Sequence, residues 1–280
     1  MAVVESTNSA RYGYWILNSL TMMIVAFFSL NILLDVCNYL VASLMGFQPI
    51  FDFDAGFISF QKMPVMTKEN VKRITYLLWA EPVLLLSATI FFFRFYKKFS
   101  KKKDLRKLLF LWTSFFSFSI LGGSFWTSYM DKESGPMSNL FAYLRWSPDY
   151  LPLFGLVLSL VLILLGVGRV KRFLSMAPST EIIKDPVFRV FYMTCVTVIP
   201  LLVFFVFLFI ISPTARITSR QYSSLFLWAG ILACLISLVV NETTYRRASA
   251  FKNSSINRPL PLWYLSAIAL VVVSRLLSIN

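Results

Sequence analysis

Histidine is absent from all 280 residues. Without an imidazole, metalloprotease H-E-x-x-H sites, Ser-His dyads, haem ligation through histidine and His-based phosphatase or acyltransferase centres are excluded. Cysteine is nearly as scarce, since Cys37, Cys195 and Cys234 lie in or beside apolar segments and have no C-x-x-C spacing. They read as small packing residues rather than a disulfide framework, and they leave the redox compartment open. Charge is thin too: 14% of residues are charged and 58% hydrophobic, whereas a soluble domain carries about a quarter charged residues. No Walker A sequence, G-x-G-x-x-G fingerprint or metal-ligand cluster occurs, and Gly166-Val-Gly168 alone is too little to bind phosphate. No cofactor, metal or catalytic residue is therefore expected.

What the chain does have is apolar length. Runs near 14–35, 74–96, 108–128, 151–168, 187–211, 222–241 and 260–279 each approach the ~20 residues needed to cross a hydrocarbon layer. They predict an all-α, polytopic membrane helix bundle of about seven transmembrane helices, with membrane lipid as its solvent. The first helix is expected to continue towards Met45, because no breaker precedes Gly46. Residues 1–13 carry one base, Arg11, and no small-residue cleavage site follows the first run. It reads as a retained span rather than a signal peptide.

The formal net charge is +14, a value that in a soluble protein points to nucleic acid. Here the bases sit in short connections between spans, so no basic domain remains for such a partner. The segment 94–107 holds eight bases against Asp104, 169–189 five against two acids, and 242–258 four against one. With Arg11 that side collects 18 of the 27 bases, which places these connections and the N-terminus inside and the C-terminus outside. The asymmetry fits a bacterial cytoplasmic membrane, with a eukaryotic internal membrane as the alternative. No connection is long enough for a separate domain, so residues 1–280 form one membrane domain.

The longest outer segment, 47–73, is Phe-rich; Phe51, Phe53 and Ala55 alternate with Asp52 and Asp54. That pattern suits a short strand or interfacial hairpin, either lying on the outer leaflet or offering an edge to a partner. Thr67 is placed to cap the helix that follows.

Charges inside the spans are costly and need a partner or water. They are Asp35, Glu81 and Arg275, all expected in the outer leaflet. Arg275 is expected to pair with Glu81, as a structural fastening or as part of an ion or proton pathway, unless an interfacial position leaves it without need of a partner. Asn31, Asp35, Asn38 and Ala42 share one face of the first span. Pro82 removes a helical hydrogen bond beside Glu81. Small residues form stripes at four-residue spacing: Ser119-Gly123-Thr127, Gly155-Ser159 and Ala229-Ala233-Ser237-Asn241. These are helix-packing faces, within the fold or against another subunit. The fifth span, with Phe204, Phe205 and Phe207, is apolar all round and is expected to meet lipid or a hydrophobic partner.

The segment from Leu34-Asp35 through Asn38 and Ala42 to Gly46 resembles the H-E-x-x-H-x-x-x-A-x-x-x-G helix of site-2-type intramembrane metalloproteases. Ala80-Glu81-Pro82 follows where that family often carries Ala-Gly-Pro. The family's two ligand histidines would fall on Leu34 and Asn38 and its glutamate base on Asp35. The resemblance thus implies a scaffold unable to hold zinc. The expected function is that of a non-enzymatic membrane subunit binding protein partners in a larger complex; the alternative is a small transporter or channel with an outward-facing polar site.

Overall fold

The computed structural model describes residues 2–50, 59–60, 68–98, 105–130, 136–211, 227–240, 256 and 258–278, with some side chains near segment ends outside the description. The first helix, α1, runs over Ala2–Leu44. At 1.5 Å per residue its 43 residues extend about 65 Å, longer than a bilayer is thick. It stops where the sequence predicts. Gly46 takes φ +80°, its N–H donates to the Ser43 carbonyl at 3.0 Å, and the N–H of Phe47 donates to that of Ala42 at 3.1 Å. Only glycine adopts that left-handed cap at no steric cost.

Two short strands, β1 (Pro49–Ile50) and β2 (Ser59–Phe60), pair antiparallel. The alternating stretch at 51–58 and Thr67 lie outside the described residues. Helix α2 (Lys68–Lys98) continues unbroken through Pro82. It is followed by α3 (Arg106–Met130), the short α4 (Pro136–Leu144), α5 (Tyr150–Leu174) and the single-turn α6 (Thr180–Lys184). Helix α7 (Pro186–Met193) passes through a π-helical turn, Thr194–Val198, directly into α8 (Ile199–Ile211). Two shorter apolar helices close the chain, α9 (Leu227–Val240) and α10 (Pro261–Ser278).

Among the described residues five segments are long and apolar enough to cross a membrane: Arg11–Leu44, Lys72–Tyr96, Arg106–Met130, Tyr150–Leu174 and Pro186–Ile210. The chain is an integral membrane protein built of helices. The remaining two of the seven predicted runs correspond to α9 and α10, which fall short of that length among the described residues.

Helix α3 is the hub. Of its most apolar window 83% is buried, against 22% for α5, and it packs against α1, α2, α5 and α9. Its aromatic side chains interlock with those of α1 and α8. Phe27, Phe116 and Phe204 form a closed triangle with centroids 5.2 to 5.4 Å apart, within the range of favourable edge-on ring contacts. A smaller cluster gathers Ile74, Leu78, Leu140, Phe141 and Leu151 beneath α4.

Close approach of the helices depends on the small residues. A Cβ built on Gly166 of α5 would lie 2.2 Å from the Gly230 carbonyl oxygen of α9, so the two backbones touch there. The thiol of Cys234 donates to the Gly166 carbonyl at 3.0 Å. Gly155 lies against the Trp126 indole, whose Nε1 donates to Ser159 at 3.3 Å.

Candidate functional site at the basic end of the bundle

The polar face predicted on α1 is present as a helical stripe. Asn31 and Asn38 are buried, Asp35 is half-buried, and the Asn38 Nδ2 donates to Glu81 Oε2 at 3.5 Å, a long bond joining α1 to α2. The amide oxygens of Asn31 and Asn38 are enclosed and receive no hydrogen bond among the described residues. Arg275 belongs to α10, but its side chain lies outside the described residues, as does any pairing with Glu81.

Of the two alternatives for the small-residue stripes, packing within the fold accounts for most of the described positions. Ser119 and Gly123 are buried in the hub helix α3, Ala233 is buried in α9, and Thr127 and Ala229 are half-buried. Phe204 and Phe205 do not face outward. The former fills the aromatic triangle, and the latter stacks on Trp228 with centroids 6.3 Å apart. Phe207 is half-buried against the same core. The outward face of α8 is made instead of Leu202, Val203, Val206, Phe209 and Ile210.

Lys107, Arg169 and Arg189 belong by sequence to the basic connections, yet all three are at most 2% exposed. A place near a span's end does not settle exposure, because neighbouring helices can enclose a basic side chain. Arg169 donates to the Ser114 hydroxyl. Its guanidinium carbon lies 4.8 Å from the Phe115 ring centre and 5.2 Å from that of Phe93. Arg172 covers Phe93 as well, at 4.0 Å. Two cations thus share one aromatic ring between α2, α3 and α5, an arrangement that offsets part of their desolvation through the ring quadrupoles.

Neighbouring residues of α1 tie several elements together. Asn18 is 1% exposed. Its Nδ2 donates to the carbonyls of Ile256 at 2.8 Å and Arg258 at 2.9 Å, and its Oδ1 accepts from the Tyr264 hydroxyl at 2.7 Å. Ser19 donates to the Val196 carbonyl in the π turn and accepts from Trp112 Nε1 at 3.1 Å. Both had no motif to mark them.

Above this layer opens a cavity of about 510 Å³. Trp15 and Tyr12 of α1 and Phe191 of α7 form its aromatic side; Arg11, Arg258 and Glu181 supply its charge. The aromatic side is rigid. Tyr12 meets Trp15 and Phe191 edge-on, each at 5.1 Å, and Trp15 meets Tyr192 at 5.1 Å. The start of α7 is fixed by Asp185, which accepts from the N–H groups of Val187 at 2.8 Å and Phe188 at 3.2 Å. The chemistry available is that of anion binding over an apolar floor. Among the described residues no group of three Asp, Glu or Cys side chains is placed to hold a metal.

No family model, curated protein or solved structure matches the chain.

Proposed function

We propose that this chain is a non-enzymatic subunit of a membrane complex that holds a partner's transmembrane helix along α5. The observation that carries the reading is the contrast between α3, almost wholly enclosed, and α5, which is held by a single stripe. Gly155, Leu162, Gly166, Arg169 and Phe173 face inward, while Leu153, Leu156, Val157, Leu160 and Leu164 are exposed. A rigidly seated helix with a broad apolar outer face suits lateral helix packing. In this reading α9 and α10 complete seven spans, the N-terminus lies inside, and the membrane is a bacterial cytoplasmic one. The likeness of residues 34–46 and 80–82 to a site-2-type scaffold belongs to the same reading, as a scaffold without zinc.

The test is copurification in mild detergent with Leu156→Trp, Leu160→Trp and Leu164→Trp variants. Loss of the partner with an unchanged fold is the expected result. If complex size and composition are the same as for the unaltered protein, α5 faces only lipid and the reading fails.

The enclosed amide oxygens of Asn31 and Asn38 favour a second reading, a polar path for a cation or proton past Asp35 and Glu81. Cysteines placed at 35 and 81 would react with water-soluble reagents in that case and stay protected in a packed helix pair.

A further inference from the structure

We infer that the cavity between α1, α6, α7 and the segment preceding α10 is a binding site for the phosphate-bearing headgroup of an anionic membrane lipid. Its composition is divided in the way such a ligand requires. Arg11 and Arg258 are exposed at the cavity, where they can meet a phosphodiester, and Trp15 is buried at its aromatic floor. Arginine suits phosphate because its planar fork offers paired donors. Tyrosine and tryptophan favour the headgroup level of a bilayer, where one edge is wet and the other apolar.

Two contacts fix the backbone that carries Arg258 and Glu181 before any ligand arrives. The Arg258 carbonyl is held by Asn18, itself buried in α1. Ser179 caps α6 by accepting from the Ile182 N–H at 3.5 Å, which fixes the strand of chain that carries Glu181. A volume of about 510 Å³ exceeds the room a bare phosphate needs and falls within the roughly 300–1,000 Å³ usual for small-molecule sites. That leaves volume for glycerol and the first acyl carbons as well. Glu181 opposes the anion, which favours a position of the phosphate towards the two arginines. Basic pockets between transmembrane helices on the cytoplasmic side hold anionic headgroups in this manner. The inference rests on the orientation proposed above only in naming the inner leaflet as the lipid's source.

The experiment uses the full chain reconstituted in bilayer discs of mixed phosphatidylcholine and phosphatidylglycerol, followed by native mass spectrometry of the lipid retained in detergent. Phosphatidylglycerol should be retained in preference to phosphatidylcholine. At about 1 kcal/mol for each base near the surface, the double variant Arg11→Gln/Arg258→Gln should lose retention roughly 30-fold. Glu181→Gln should raise retention by roughly five-fold, a gain that misfolding cannot produce. Equal retention of the two lipids, or retention indifferent to all three substitutions, would overturn the inference. Displacement of the lipid by soluble glycerol phosphate would also overturn it and mark a site for free phosphate esters. Because α5 variants leave this cavity intact, loss of partner binding and loss of lipid retention are separable failures.

Discussion

The hydroxyl of Ser19 donates to the carbonyl of Val196 across the interface between α1 and the π turn. Pro200, four residues after Val196, has no N–H to offer that carbonyl, and its ring crowds the same oxygen. The wider π turn at Thr194–Val198 relieves the crowding, and Ser19 takes the place of the missing donor. Ser19→Ala removes this bond and also the acceptor used by Trp112, so it should cost about 1–3 kcal/mol for each buried group left without a partner. In a Pro200→Ala background, where a backbone N–H returns, part of that cost should disappear. Unfolding in detergent across the double-mutant cycle measures the difference. Additive effects within about 0.5 kcal/mol would show that proline and serine are not coupled.

Two glycines a helical half-turn apart should answer alanine in opposite ways. At Gly166 a Cβ would lie 2.2 Å from the Gly230 oxygen, whereas at Gly168 it would meet nothing within 4 Å. Gly166→Ala must separate α5 from α9 and should destabilise the bundle by at least the ~1–3 kcal/mol of ordinary overpacking. Gly168→Ala should be neutral or stabilising by up to about 1 kcal/mol, through helix propensity alone. Paired unfolding curves decide the matter, and similar midpoints for the two variants would refute the backbone contact.

The stop of α1 at Gly46 and the packing role of Gly155 and Ser159 follow from local chemistry, and local chemistry is visible in a sequence. Phe204 and Phe205 face the core while Val203 and Val206 face outward, although all four are apolar. A helix apolar on every side carries no periodicity to reveal that. Arg169 is a comparable case: beside Lys171 and Arg172 it reads as part of a solvated basic connection. Its burial depends on Phe93 and Phe115, contributed by two other helices. The cavity was illegible for the same reason, since its walls come from residues near 11, 181, 191 and 258.

The seat of Arg169 makes a charge-conserving substitution informative. A lysine keeps the positive charge but has no planar group to lie between Phe93 and Phe115 while also reaching Ser114. Arg169→Lys should therefore destabilise by about 1–2 kcal/mol, the scale of a desolvated cation–π contact. Thermal unfolding in detergent provides the check. A lysine variant as stable as the unaltered protein would mean that charge alone matters at this position.

Asn18 offers the sharpest prediction because its amide is used at both ends. Its nitrogen serves the Ile256 and Arg258 carbonyls and its oxygen serves Tyr264, so three partners from the last part of the chain depend on one side chain of α1. Tyr264→Phe removes one bond and should cost about 1 kcal/mol. Asn18→Ala removes the bonds this side chain makes to all three groups and should cost more. Asn18→Asp should be worst at neutral pH, since it sets a carboxylate against two carbonyl oxygens in a buried position. Acidification should recover part of that loss, because a protonated carboxyl can again donate to one carbonyl. Hydrogen exchange localises the effect: α10 should lose protection first while α3 keeps its own. If α10 exchanged at the same rate in all three variants, the attachment of this helix to α1 would have to reside in apolar packing rather than in the Asn18 amide.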